Sequence, residues 1–381
     1  MAPETEPHWP PRHHYDLLVI GASFAGLSCA RRAAELGLRV GVLERQPWPG
    51  HSVHTTGLLV READALLGAP TALTRRIAGV RLYAPSLRHV DLDAPGYYFA
   101  ATDTPGLLRW CAGEAWRAGV DLHFAQPFTD ARRLDDRILV NGGQWSARYL
   151  VGADGARSRV AASLGLGRNR EDLLGIEAEF RGLPLAEDRL HCFVDSELAP
   201  GYIGWMFMGV NGMTQVGLAC KRPHRPDLAA FLAKLAPLAD FGTAQLVDRR
   251  GGLIPVGGCV RPFAAERVLL VGDAAGLVSP LTAGGIHLAF ESGARGAELI
   301  AEQLVLNRVR PLRRAELEYP RFFWKRRLRR VLELRPPNAW LDRLLLHPLI
   351  QRLARLIYFH RKGLKSRAGW GVLLRREQEE P

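Results

Sequence analysis

The chain has 381 residues and 47% apolar composition, enough for two or three domains with buried cores, which excludes a disordered protein. Its five cysteines, Cys29, Cys111, Cys192, Cys220 and Cys259, are scattered and form no CxxC pair, which argues against a disulfide scaffold or a metal site and fits a reducing cytoplasm. The net charge of +12 is uneven: residues 308–381 hold 20 Lys and Arg against 7 Asp and Glu, a net of +13, while residues 1–307 hold 31 against 32. A near-neutral body with a basic segment points to an anionic partner surface.

Residues 1–14 are rich in Pro and His and lack the apolar core of a signal peptide, so they read as a disordered tail. No uncharged apolar run reaches the roughly 18 residues that a membrane span requires. Tyr15–Ile20 is an apolar run ending at Gly21 and predicts a buried parallel strand. Ala25–Leu36 predicts a helix with Gly37 at its C-terminal cap, and Arg39–Leu43 a second strand ending at Glu44 and Arg45. Residues 48–101 are irregular and rich in Gly and Pro. Pro105–Ala118 reads as a helix, Val120–Phe124 as a strand, and Ile138–Val140 with Trp145–Val151 as a hairpin. Ile176–Phe180, His191–Val194, Tyr202–Met208 and Thr214–Ala219 predict an antiparallel sheet, followed by a helix over Asp227–Leu238. Strand character returns at Arg267–Val271, then a long amphipathic helix over Ile286–Leu306.

Three strand-to-turn elements carry chemistry. The first, Gly21-Ala22-Ser23-Phe24-Ala25-Gly26, has GxGxxG spacing with Ser23 as the second small residue. Gly21 permits the tight turn, Ser23 lets the backbone approach a pyrophosphate, and Gly26 lets the helix pack closely on the strand. Glu44 follows Gly26 by 18 residues, where a carboxylate can bind ribose hydroxyls. The second is the Gly-Asp-Gly turn at Asp154 and Gly155, for which Asp154 as a plain helix cap is the bland alternative. The third is Gly272-Asp273-Ala274-Ala275, leading through Pro280 to Gly284-Gly285-Ile286. There a carboxylate can accept hydrogen bonds from ligand hydroxyls, and free helix-start amides can face an anion or a polarised carbonyl.

As an ordered set over residues 14–310, these elements resemble the FAD-dependent oxidoreductases of the p-hydroxybenzoate hydroxylase-like fold. Within that superfamily the run from Gly272 to Ile286 is most similar to the geranylgeranyl reductase group, with Gly276 where aromatic hydroxylases usually carry His. The resemblance implies that Asp273 holds the ribityl chain, with Gly284, Gly285 and Ile286 near the flavin N1–C2=O edge. Cofactor contacts are thus expected at Gly21, Ala22, Ser23, Ala25, Gly26, Glu44, Arg45, Asp154, Gly155, Gly272, Asp273, Pro280, Gly284, Gly285 and Ile286. An arginine common at the start of the family's next helix is replaced by Thr104, which leaves Arg109 as the candidate phosphate contact.

Reductases of the group carry a Tyr-x-Trp-x-Phe-Pro strand along the substrate cavity; here Tyr202, Trp205 and Phe207 have altered spacing and Met208 replaces the proline. These three are the expected substrate-lining residues, with core packing as the alternative. The family's Cys-Gly-Gly segment is replaced by the loop His51–Gly57, so a thiol is unavailable. His54 and Tyr202 are the weak candidates for catalysis, and no catalytic acid is assigned. With a single nucleotide fingerprint, electrons are expected from transient NAD(P)H or a protein carrier.

The sequence therefore predicts an α/β protein. A discontinuous Rossmann-like FAD domain (15–75, 100–168, 256–308) surrounds an α+β substrate domain with an antiparallel sheet (76–99, 169–255), and 309–381 form a basic helical segment. The expected activity is reduction of carbon–carbon double bonds in a prenyl or other lipid-like substrate. A flavin monooxygenase using NAD(P)H and O2 is the alternative, and a non-enzymatic nucleic-acid- or membrane-binding protein the remote one. Residues 321–367 mix aromatic, leucine and arginine positions at helical spacing, which suits either an anionic membrane surface or a helical cap over the substrate site. Location is expected in the cytoplasm, peripheral at the inner face of the membrane, and a nucleic-acid partner is not expected.

Overall fold

A computed structural model describes residues 13–185, 188–306, 312 and 319–359. The chain opens with β1 (His13–Ile20), α1 (Phe24–Glu35), β2 (Val40–Leu43), β3 (Leu58–Val60) and α2 (Arg61–Leu67). Four short strands follow: β4 (Thr74–Ile77), β5 (Val80–Tyr83), β6 (His89–Leu92) and β7 (Phe99–Thr102). Next come α3 (Thr104–Arg117), β8 (Asp121–His123), β9 (Ala131–Arg133), β10 (Ile138–Val140), β11 (Trp145–Gly152) and α4 (Arg159–Ser163). The middle of the chain holds β12 (Asp172–Arg181), β13 (Leu190–Phe193), β14 (Gly204–Met208), β15 (Met213–Lys221), α5 (Leu228–Leu235) and β16 (Gln245–Pro255). It ends with β17 (Ala264–Ala265), β18 (Val268–Leu270), α6 (Ile286–Val305), α7 (Phe323–Leu332), α8 (Asn338–Leu344) and α9 (Pro348–Phe359).

Three sheets organise these elements. The first has the order β17-β18-β11-β1-β2-β8, with β10 and β9 attached beside β11. The four neighbouring pairs from β18 to β8 are parallel, as the nearly continuous apolar runs predict. Leu17, Leu18 and Val19 of its central strand are fully buried. The second sheet has the order β16-β12-β15-β14-β13-β5-β6, and the third is β3-β7-β4. α1 lies directly on α6: Ser28 Oγ donates to the Phe290 carbonyl at 2.8 Å, and the Phe24 and Phe290 rings are 5.2 Å apart.

Several sequence expectations change. β1 starts at His13, because the His13 ring stacks on Trp145 at 4.3 Å and His14 Nδ1 meets Ser146 Oγ at 2.7 Å. The expected tail 1–14 is thus part strand, and its first 12 residues lie outside the described residues. The second sheet is not purely antiparallel: β5, from the region that reads as irregular, pairs with β13 in parallel. Gly251 and Gly252 sit inside β16, the partner of β12. Pro348 opens α9, where the first helical position needs no amide donor. Residues 360–381 of the basic segment lie outside the described residues.

Gly26 marks the tightest approach in the first sheet. A Cβ there would stand 1.9 Å from the Gly21 carbonyl oxygen, which is backbone and cannot swing aside. Gly26→Ala is expected to lower stability by about 1–3 kcal/mol, even though alanine favours a helix by up to ~1 kcal/mol. Chemical denaturation of the apoprotein measures this, and an unchanged midpoint would refute the contact.

Candidate functional site

One continuous cavity of 2580 Å³ is lined by the Gly21–Ala25 turn, Glu44 and Arg45, Asp154 and Gly155, Asp273, Gly284–Ile286, His54, Tyr202, Trp205 and Phe207. The structure thus brings most of the sequence-predicted residues to one space. Gly26, Gly272, Pro280 and Arg109 are not on its surface. Gly26 and Gly272 act through backbone geometry: Gly272 has φ +54° and a Cβ there would lie 2.7 Å from Ala25 Cβ. Pro280 is buried beside the wall residues Ser279 and Leu281. Arg109 is the correction, for it stands exposed on α3 while its neighbour Leu108 faces the cavity. No arginine fits at 104 either: Thr104 is 1% exposed, and its hydroxyl lies 2.9 Å from that of Thr102.

Two helix starts face this space without a side-chain cap. α1 begins after Ser23 and α6 after Gly285, and neither residue's side chain accepts a first-turn amide. Such amides are available to a phosphate or a polarised carbonyl. Glu44 closes the nucleotide turn from below, with Oε2 accepting the Ala22 amide at 2.7 Å and Oε1 the Gln46 amide at 2.8 Å.

The two acidic turns differ in what they offer. Asp154 is committed to α4, accepting from Ser158 Oγ at 2.6 Å and from the Arg159 and Val160 amides at 2.6 and 3.1 Å. Burial raises its carboxyl above the usual range, and these donors oppose that. The helix-cap alternative therefore describes its carboxylate, and Gly155 is the part of the turn left for a ligand. By contrast, the Asp273 carboxylate has no hydrogen-bond partner among the described residues, and burial pushes its pKa up to about 6. Asn169 Nδ2 ties the turns together, donating to the carbonyls of Ala156 at 3.0 Å and Asp273 at 2.9 Å. Gly276 has φ +70°, and a Cβ there would lie 2.4 Å from the Gly258 carbonyl oxygen. That crowding explains why no histidine occupies the position here.

The remaining candidates are held by specific bonds. His54 Nδ1 is 3.0 Å from the Gly251 carbonyl, which can only accept, so Nδ1 carries the proton and Nε2 receives Ser52 Oγ at 3.3 Å. Nδ1 anchors the loop to β16, and Nε2 is engaged within the loop itself. Tyr202 donates its hydroxyl to the Thr282 carbonyl at 2.6 Å, and burial drives its pKa far above the ordinary phenol value. It therefore stays neutral and fixes the Pro280–Ile286 loop. Trp205 Nε1 donates to Glu177 Oε2 at 2.6 Å, Glu177 Oε1 accepts Arg250 Nε at 2.8 Å, and Phe207 is fully buried at the wall.

Residues that the sequence analysis missed also line the cavity. Glu177 and Arg250 face each other across β12 and β16, a pairing that only strand register reveals. His287 Nε2 meets Glu291 at 3.1 Å; burial lowers its pKa, but Glu291 outweighs that and raises it overall. Lys325 reaches the cavity from α7, and Leu345 and Tyr358 from the segments after it. Bonds from Ser196 to Asn338 and from Ser86 to Asp342 hold α8 against loops of the second sheet.

Asp273 gives a pH test. Its folded pKa, about 6, lies above its unfolded value of about 3.9, so the native state holds the proton more tightly. Apoprotein stability should fall as pH rises from about 4 to about 6 and then level off. Asp273→Asn should flatten that decline in denaturation curves; an unaltered slope would place the effect elsewhere.

Comparison with known proteins gives a consistent result. A family model for FAD dependent oxidoreductases matches residues 16–106. The digeranylgeranylglycerophospholipid reductase 2 of Methanothermobacter thermautotrophicus is 28% identical over 334 residues, covering 84% of this chain and 85% of that protein. A menaquinone reductase of Mycobacterium tuberculosis is 30% identical over 318 residues, covering 75% and 76%. Among solved structures, a geranylgeranyl bacteriochlorophyll reductase-like protein from Thermoplasma acidophilum superposes with TM-score 0.79 at 21% identity, covering 91% of this chain and 97% of that one. A flavin-dependent brominase shares the fold with TM-score 0.70 at 17% identity, covering 96% and 98%.

Proposed function

Because the chain belongs to the FAD-dependent oxidoreductases and is most similar to the geranylgeranyl reductase group, we propose that it reduces carbon–carbon double bonds of a prenyl or other lipid-like substrate. The observation that carries this reading is the continuity of the cavity, which runs from the Gly21 turn past Asp273 to Trp205, Phe207 and the C-terminal helices within 2580 Å³. Pockets for single small ligands commonly measure about 300–1,000 Å³. This space has room for a dinucleotide and a long apolar chain together.

When bound, FAD in its reduced form supplies hydride. The chain's own residues bind, orient and exclude water. The uncapped starts of α1 and α6 offer amides to the pyrophosphate and to the flavin's pyrimidine edge, and Asp273 offers an acceptor for ribityl hydroxyls. Tyr202 fixes the loop that carries Gly284 and Gly285. Trp205, Phe207 and Leu345 form an apolar wall along which a chain can align, and the helices above keep water out. Anaerobic incubation of the chemically reduced flavoprotein with geranylgeranyl lipids should yield products heavier by two hydrogens per double bond. Products that gain an oxygen atom, under air only, would instead establish the monooxygenase.

We further propose that substrate is taken from an anionic membrane surface. Among the described residues, no helix is long and apolar enough to cross a membrane. The exposed aromatics Phe323, Trp324 (73% exposed) and Trp340 (69%) lie among the exposed Arg327 and Arg330, a combination that suits the interface of an anionic bilayer. Co-sedimentation with phosphatidylglycerol vesicles should be strong at low salt, weak at high salt and reduced by the pair Trp324→Asp and Trp340→Asp. Equal recovery with neutral vesicles, or with duplex DNA, would refute it.

A further inference from the structure

The cavity wall beneath α7 is short of negative charge. Building on the lipid-reductase reading, we propose that this wall receives an anionic headgroup of the substrate, a phosphate ester, with Lys325 as the direct contact. Lys325 lines the cavity beside Phe322 and Leu328. Among the described residues its ammonium has no carboxylate partner, only the Phe322 ring at 5.8 Å. Burial lowers its pKa from the ordinary lysine value, as expected for a cation that has lost water without gaining a counter-charge.

A second cation stands one helical turn further on. Arg329 is 2% exposed, and both terminal guanidinium nitrogens are buried without a hydrogen-bond partner. Only its Nε is used, toward Glu333 at 3.3 Å. The guanidinium carbon lies 5.8 Å from the centre of the Tyr202 ring, and a Cβ on Gly201 would be 3.7 Å from Nη2. Gly201 and Tyr202 both line the cavity. Glu333 also pairs with Lys221, whose Cβ lies against Gly201. Among the described residues, Lys221, Lys325 and Arg329 therefore have one carboxylate between them.

Among the described residues no acid of the cavity wall, Asp273 included, makes an ion pair with Lys325. Glu177 is held by Arg250, Asp195 by Lys234 and Glu291 by His287. A cation taken out of water is costly unless paired. A phosphate on the Lys325 ammonium would supply the missing charge, within the field of Arg329 at the adjacent i, i+4 position. The relatives' names include a phospholipid and a quinone. Only the first kind of molecule brings an anion to this wall.

The test uses the FAD-loaded full chain and its intrinsic tryptophan fluorescence, with three probes: geranylgeranyl phosphate, geranylgeraniol and inorganic phosphate. The wild type should bind the prenyl phosphate about ten-fold or more tighter than the alcohol, the scale of one charged hydrogen bond. Lys325→Met should bring the two prenyl affinities together, and Lys325→Arg should restore the preference; FAD content and melting temperature check that both variants fold. Equal affinities in the wild type, or an undiminished preference in Lys325→Met, would overturn the headgroup site and leave the lipid reading intact. Inorganic phosphate binding as tightly as the prenyl phosphate would make this a free-phosphate site and also overturn it. Failure of both prenyl probes to bind would overturn the lipid reading itself.

Discussion

Backbone meets backbone around the first turn of α1, and the rest of the site depends on that contact. The Gly21 carbonyl occupies the space a side chain at 26 would need, and the Ala25 carbonyl lies 2.3 Å from where a Cβ on Gly293 of α6 would stand. At Gly26 and Gly293 the turn, the helix and the second helix thus meet backbone to backbone. Two helix starts from distant parts of the chain, at Ser23 and Gly285, consequently open into one space. Asp273 lies between the same elements, since Gly272 is itself pressed against Ala25. A wider spacing would separate the amides that favour negative charge from the acceptor that favours hydroxyls.

Charge adds a second level of order. Most acids on the cavity wall are already satisfied, by an arginine, a lysine, a histidine or helix amides. Asp273 stands apart, and so do the cations of α7. The cavity therefore presents an uncommitted acceptor on one wall and the ammonium of Lys325, without a carboxylate partner among the described residues, on another, with Trp205 and Phe207 on the apolar surface. Such a surface orients a molecule that is polar at one end.

Where the chain encodes a feature locally, the sequence was sufficient to read it. β1, α1 and the Gly272–Asp273 turn follow from short apolar runs and glycine positions, and the β10–β11 hairpin from its Gly-Gly turn. Residues 48–101 were opaque because β3 to β7 are three or four residues each, too short for a period to emerge, and β5 takes one of its partners, β13, from far along the chain. β16 was hidden by glycines that lie close under His54 and Gly175. At the site, glycine and acid positions were legible through turn chemistry. Arg109 was misjudged because helix phase turns it outward, while Thr104 faces in. Lys325 and Arg329 read as two members of a cationic cluster, and only the packing of α7 separates them from their exposed neighbours.

The pairing of β12 with β16 has one more consequence. Asp172 lies opposite Pro255, so the chain leaves the nucleotide-binding sheet and returns to it at hydrogen-bonded neighbours. The stretch between is joined to its host by this double stem and is completed by β5 and β6, which cross into the same sheet from residues 80–92, an arrangement in which much of one layer can vary with little disturbance to the other. The flavin-holding half can stay constant while the layer carried on that stem varies. That modularity offers a physical account of how one architecture spans reductase-like and halogenating proteins that share about a fifth of their residues or fewer with this chain.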